Sequence, residues 1–189
     1  MTDYFIKTIR HSTLVASAAG SIVTKSGIFD QKRAFLSGLF HDIGKFFVSE
    51  TEKYKHPRIG YEIFKDSHKE LAKICISHPF PVFDNFEYIK YYCHDDTEEA
   101  EKIIEILNRI EEDDFYIQLI QYCDKITGID RYMTIEEKFN WYVKKNGLIP
   151  PEIIRPNFDK LPEMIRRNFD KLKELESQFG DLIDYTRVI

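Results

Sequence analysis

Apolar residues recur at helical spacing along nearly the whole chain, and no two alternating segments meet at a hairpin turn signal. Tyr4, His11, Leu14, Val15, Ala18 and Ile22 fall on one stripe, and Gly20 and Gly27 place the end of that helix in the twenties. Asp30 can cap a second helix through Ala34, Phe35, Leu39 and Phe40, with Gly44 as its C-terminal stop. Pro57 suits the first position of a third helix, which puts His56 at its start. A fourth helix near 70–77 is expected to end at His78, because a residue before proline disfavours helical backbone. A short helix near 86–93 follows the loop Pro79-Phe80-Pro81.

Asp96-Thr97-Glu98-Glu99 reads as a capping box at the head of a helix with Ile103, Leu107 and Ile110 on one face. After the acidic turn 111–114 comes a helix through Phe115, Leu119, Tyr122 and Ile126. Another covers 136–145 and is closed by Asn146-Gly147; short extended pieces fit only near 129–134. The segment 154–161 recurs as 165–172, eleven residues on, which is close to three helical turns and presents one face twice. Pro156 and Pro162 interrupt the first copy. The pattern is all-α, with the tail packed as an arm over the core; a contact between two copies of the chain is the alternative role for that arm.

A chain of 189 residues with 43% hydrophobic and 31% charged positions reads as a globular protein with one sizeable core. No run approaches the roughly 18–20 apolar residues of a membrane span, and the N-terminus lacks the pattern of a secretory signal. The expected compartment is the cytoplasm. Cys75, Cys93 and Cys123 are far apart and flanked by apolar or aromatic residues, so they read as buried thiols. A net charge of −5 offers no overall field for nucleic acid or membrane, while leaving room for a local positive site on a small anionic substrate.

Six side chains carry the candidate chemistry: His11, His41, Asp42, His56, His78 and Asp124. Imidazoles and carboxylates are ligands for hydrolytic divalent metals. His11 and Asp124 both lie on inward stripes, and a buried carboxylate needs a cation, backbone donors or a metal. Lys125 is adjacent but points about 100° away on an ideal helix. Ala34 and Gly38 precede His41-Asp42 on a narrow strip of small residues, where a neighbouring backbone can approach closely. His56 and His78 each stand beside a proline at a helix end.

This order, centred on His-Asp-Ile-Gly-Lys at 41–45, resembles the HD superfamily of metal-dependent phosphohydrolases over about residues 5–130. His56-Pro-Arg-Ile-Gly and Ile-Ser-His78 are similar to the branch with additional histidines and two metals, and Tyr122-Cys-Asp124-Lys-Ile is similar to its closing motif. The resemblance implies a compact single-domain bundle of the HD type over 1–150, with a helical extension over 151–189. It implies a first metal on His11, His41, Asp42 and Asp124, and a second on His56 and His78 with Asp42 bridging. Some two-metal relatives carry paired histidines where this chain has Pro79 after His78; His94 is the candidate replacement, against simple exposure at a helix start.

One or two divalent transition ions are expected, among Fe, Mn, Zn, Co and Ni. The leading expectation is hydrolysis of a small nucleotide or dinucleoside polyphosphate by metal-activated water, with Lys45 facing the phosphate. Phe80, Phe83, Phe86, Tyr88, Tyr91 and Tyr92 form an aromatic cluster that can stack a base or fill the core. A metal nuclease on single strands is a second reading, weakened because Lys53, Lys55 and Arg58 alternate with Glu50, Glu52 and Glu62. A non-catalytic ligand-sensing module is the third.

Overall fold

A computed structural model describes residues 3–27, 30–128, 131–145 and 161–183. Among these residues it is all-helical: α1 (Asp3–Ser26), α2 (Gln31–Phe40), α3 (His56–Phe64), α4 (Lys69–Ser77), α5 (Phe86–Tyr92), α6 (Thr97–Leu107), α7 (Phe115–Ile126), α8 (Ile135–Lys145) and α9 (Glu163–Phe179). Tighter 3-10 turns cover Ile43–Phe46, Glu50–Lys55 and Gly180–Leu182. Of the extended pieces expected near 129–134, the described residues show one isolated bridge, Thr127 with Tyr132. The closing Asn146-Gly147 and residues 154–160 of the first repeat copy lie outside the described residues.

The stripe on α1 buries Leu14, Val15, Ala18 and Ile22, and the helix stops ahead of a left-handed Gly27. Asp30 caps α2 by accepting from the Arg33 N–H. The small-residue strip on α2 does what its composition suggests. A Cβ on Gly38 would stand 2.6 Å from the Ala16 Cα, so the α1 and α2 backbones touch there. That contact draws His11 and His41 together, with ring centroids 5.4 Å apart.

Gly44 is not a helix stop. α2 has already ended at Phe40, and Gly44 lies inside the following 3-10 turn. Its requirement is space: a Cβ there would fall 2.0 Å from the His56 carbonyl oxygen. The turn carrying Asp42 and Lys45 is thereby pressed against the start of α3.

The capping box is half formed. Asp96 accepts from the Glu99 N–H, but the Glu99 carboxylate does not reach back. It takes Arg58 Nε on both oxygens, at 2.8 and 2.9 Å, and ties α3 to α6. A buried carboxylate satisfied by a guanidinium outcompetes a backbone N–H already bonded to the Cys93 carbonyl.

α7 is buried over most of its surface, and Asp114 caps it through the Tyr116 and Ile117 N–H groups. It packs on α1, α2, α4, α8 and α9, so Asp124 is delivered to the middle of the molecule. α9 seals one side with Ile165, Leu172, Leu175 and Phe179, which belong to the same core as α1 and α7. Leu161 and Leu172, corresponding positions of the two repeat copies, are both buried. The three thiols are buried as expected, and burial pushes Cys93 up to about 12, so it is inert near neutral pH.

Candidate metal centre

His41, His56 and His78 share one local geometry. Each follows the last residue of a helical segment, keeps right-handed helical backbone, and turns its ring back on that segment. Ring Nδ1 lies 2.7 Å from the Gly38 oxygen in His41, 2.6 Å from Lys53 in His56 and 2.9 Å from Cys75 in His78. The carbonyls of a last helical turn lack helical partners. A carbonyl only accepts, so Nδ1 carries the proton and Nε2 is left with its lone pair facing inward. The helix ends therefore set the tautomer as well as the position.

His78 departs from the expectation that a residue before proline leaves helical geometry: its φ of −56° and ψ of −31° are helical. The ring bond to Cys75 and the backbone bond from His78 N–H to the Ile74 carbonyl hold it there. His11 is placed differently, within α1, with Nε2 2.9 Å from Asp124 Oδ1 and Nδ1 3.4 Å from the Gly128 carbonyl.

Asp42 stands between two sets of imidazoles. Its Oδ1 lies 3.0 Å from His56 Nε2 and 3.3 Å from His78 Nε2. Its Oδ2 lies 3.4 Å from His41 Nε2 and 3.9 Å from His11 Nε2. Asp124 Oδ1 completes the second set, 3.8 Å from His41 and 2.9 Å from His11. Donor atoms of His11, His41 and Asp124, and of His41, Asp42 and His78, lie within 4.8 Å of one another, close enough to share an ion.

The donor set fits a divalent cation. His41 Nε2 and Asp42 Oδ1 are buried and form no hydrogen bond, a costly state for a protein interior that a metal would relieve. Burial resists the charge on Asp42, yet Lys45 and His41 hold it well below the usual carboxylate range. Asp124 behaves likewise, with burial opposed by Lys125 and His11. Burial lowers His11 and His56 and brings His78 down to about 3. Deprotonated imidazoles and ionised carboxylates are the forms that bind metal. His41 is the exception: burial opposes its charge, but Asp42 outweighs burial and raises it.

Lys125 does not point away from Asp124. Its stem curls back and the ammonium pairs with Oδ2. Lys45 does the same for Asp42, with Nζ 2.5 Å from Oδ2, while its stem remains partly exposed in the cleft. Each carboxylate thus offers one oxygen to an ammonium as well as facing imidazoles.

Above the cluster lies a cleft of about 540 Å³ whose wall includes Lys7, Lys45, Lys53, Arg131, Lys138 and Lys145. Four of these, Lys7, Arg131, Lys138 and Lys145, were not singled out by the motif. Trp141 lies between two of them, half exposed, with Lys145 Nζ 4.6 Å and Lys138 Nζ 5.8 Å from its ring centroid. The available signal was the spacing Lys138, Trp141, Lys145 on one helical face. Of the mixed-sign run, Lys53 reaches the cleft, Lys55 pairs with Glu52, and Arg58 is spent on Glu99.

His94 is exposed, in left-handed backbone with φ 53°, its ring 5.5 Å from that of Tyr54. It lines an adjoining cavity with Lys45 and His56 but is outside the groups that can share an ion. His68 is exposed. The aromatic cluster divides: Phe80 and Phe83 fill the core, Phe86 is exposed, and Tyr88, Tyr91 and Tyr92 line cavities next to the cluster.

Four imidazoles and two carboxylates converging inside an all-helical scaffold define a helical metal-site protein with hydrolase-type ligands. The chain belongs to the HD domain family, whose model matches residues 8–129. That span runs from before His11 to just past Asp124, so α8 and α9 lie beyond it. No curated protein and no solved structure matches the chain. No helix among the described residues is long and apolar enough to cross a membrane.

Proposed function

We propose that the protein is a metal-dependent phosphohydrolase acting on a small nucleotide or dinucleoside polyphosphate. The observation that carries this reading is Asp42, whose two oxygens face two separate sets of imidazoles beneath a cation-lined cleft. His11, His41, Asp42 and Asp124 would hold one ion, and Asp42, His56 and His78 a second. This is the arrangement that the resemblance to the branch with additional histidines implies. Bound there, divalent cations supply Lewis-acid polarisation of a phosphoryl oxygen and lower the pKa of water toward about 7.

The chain's own residues supply the rest. Lys7, Lys53, Arg131 and Lys145 draw an anionic substrate into the cleft. Lys45, anchored by Asp42, neutralises a non-bridging phosphoryl oxygen as charge develops. The carbonyls of Gly38, Lys53 and Cys75 keep the rings aimed throughout. The test is metal content of the purified protein, together with hydrolysis of mononucleotides, dinucleoside polyphosphates and cyclic nucleotides. Two equivalents per chain and turnover of one class are expected. One equivalent would remove the role given to His56 and His78, and no turnover with metal present would sink the proposal.

The cations around Trp141 also favour a second reading, a nuclease on single strands, because an exposed aromatic ring between basic groups suits stacked bases and phosphates. Turnover of an oligonucleotide that falls steeply with added salt would favour it over the small-substrate reading.

A further inference from the structure

The cavity that adjoins the cation cleft, about 390 Å³, shares Lys45, Lys53, Trp141 and Lys145 with it, so the two are lobes of one surface. Each lobe reaches a different side of the metal centre. His11 stands in the wall of the cleft and His56 in that of the cavity, and these rings face opposite oxygens of Asp42. Neither wall carries an Asp or Glu.

The lobes differ in chemistry. The cleft adds Lys7, Arg131 and Lys138 to the shared residues. The cavity adds no further Lys or Arg; it adds the partly exposed rings of Tyr54, Tyr91, Tyr92 and Tyr142 and the exposed ring of His94. Tyr54 is held by its hydroxyl, which donates to Asp96 Oδ2 at 3.0 Å, and its ring lies 5.5 Å from that of His94. At the junction, Lys45 is paired with Asp42, but among the described residues Lys53 and Lys145 pair with no carboxylate. Trp141 steadies Lys145 there, with the ammonium 4.6 Å from its ring centroid. Unpaired ammonium groups on a wall without carboxylates suit an anion. One phosphate group carries about −2 at neutral pH, which the divalent ions of the proposed centre offset alone, so the further cations of the cleft match a longer phosphate chain.

We infer that the two lobes together bind one nucleoside polyphosphate. The base enters the aromatic cavity on the His56 side, the phosphate chain passes Lys53 and Lys145 at the junction, and its far end lies in the cleft among Lys7, Arg131 and Lys138. The cavity falls within the roughly 300–1,000 Å³ of small-ligand sites, and aromatic side chains are the surfaces on which bases stack. Apart from Trp141, the described wall of the cleft offers a second base only Tyr4, so the ligand carries one base. Trp141 and Lys145 belong to α8, beyond the family match, which makes this arrangement a property of the chain rather than of the motif. Turnover of such a ligand rests on the phosphohydrolase reading; its binding does not.

The experiment is calorimetric titration of the full-length protein as purified. The probes are methylene-bridged triphosphates of adenosine, guanosine, cytidine and uridine, which resist hydrolysis, the matching monophosphates, and inorganic tripolyphosphate. At least one triphosphate should bind about tenfold or more tightly than both its monophosphate and tripolyphosphate. The double variant His94→Asn, Tyr54→Leu keeps a residue that tolerates left-handed backbone and removes both rings. It should weaken that triphosphate about fivefold or more and leave tripolyphosphate unchanged. Lys145→Met should weaken both to the same degree. All three positions are partly or fully exposed, and thermal melts show that the variants are folded; if they are not, the wild-type comparison decides. Tripolyphosphate or a monophosphate binding as tightly as every triphosphate, or unchanged affinity in the folded double variant, overturns the inference. So does tighter binding of a dinucleoside tetraphosphate or of an oligothymidylate. A protein that shows the expected binding but hydrolyses no phosphoester keeps the two-lobed site and loses the phosphohydrolase reading. One that hydrolyses a monophosphate or cyclic nucleotide and binds triphosphates no more tightly keeps the hydrolase and loses the two-lobed site.

Discussion

The two oxygens of Asp42 face different imidazoles, so truncating this one side chain disconnects both halves of the centre. Asp42→Ala should lose bound metal and lower turnover by more than the roughly 10–100-fold that loss of an outer metal partner costs. Metal analysis and a turnover assay on the same preparation check this; full activity with metal retained would remove Asp42 from the site. Lys138 carries a pH prediction. Burial pushes its ammonium down to about 8, with Asp124 acting in the opposite direction. The unfolded chain then binds more protons than the folded one between about 8 and the usual 10.5. The Lys138 contribution to stability therefore rises with pH across that window, being unfavourable below it. Its positive charge leaves the cleft as pH rises through about 8, so KM for an anionic substrate should climb there. Lys138→Met should flatten that limb of the profile, and an unchanged climb in the variant would assign it elsewhere. The ligand types and their order were legible along the chain. Lys125 was not, because a four-carbon stem can swing back across a helix surface whatever direction its Cα–Cβ bond takes.

Three helix ends perform the same task with His41, His56 and His78, and each uses a carbonyl of its own last turn; that of Lys53 takes the His56 N–H as well as the ring. For His78 the support extends to α7. Gln121 Nε2 donates to the Ser77 carbonyl at 3.2 Å and the Phe80 carbonyl at 2.9 Å, gripping the chain on both sides of His78-Pro79. Gln121→Leu preserves volume but strands the buried Phe80 carbonyl, at about 1–3 kcal/mol, and takes from the Ser77 carbonyl one of its two donors, the other being the Phe80 N–H. The expected result is a lower melting temperature and a roughly 10–100-fold weaker affinity for one equivalent of metal, with the other equivalent little changed. Equal weakening of both in a titration would contradict a role confined to His78. The caps at Asp30 and Asp96 were readable because capping is local, and Asp114, read only as the end of an acidic turn, caps α7 in the same way. Gly44 and Glu99 were misread for the opposite reason. Each answers to a partner on another element, His56 and Arg58, which no local pattern contains.

At the scale of the molecule, α9 closes the core although it lies beyond the family match. Ending the chain at residue 160 would remove Leu161, Ile165, Leu172, Leu175 and Phe179 from it. At about 1.5–3 kcal/mol per buried apolar side chain, that loss is about 8–15 kcal/mol, as large as the whole stability of a typical domain at about 5–15 kcal/mol. The shortened chain should show no cooperative melt by circular dichroism; a melt near that of the full chain would make α9 an appendage. Charge shows the same dependence on scale. A net −5 describes a chain in which six of the 27 Lys and Arg line one cleft whose wall carries no Asp or Glu.

Helical periodicity, the caps and the chemistry of the six ligand-type residues depend on neighbours within a few positions, and these the amino-acid order determined by itself. The tertiary structure alone decided which Asp42 oxygen meets which imidazole, which lysines line the cleft, and that the cleft and the aromatic cavity beside it share Trp141. Those relations join residues far apart in the chain, as His11 and Asp124 are at 113 positions. Such distances close only when the α1–α2 contact at Gly38 and the buried α7 bring their side chains into one space.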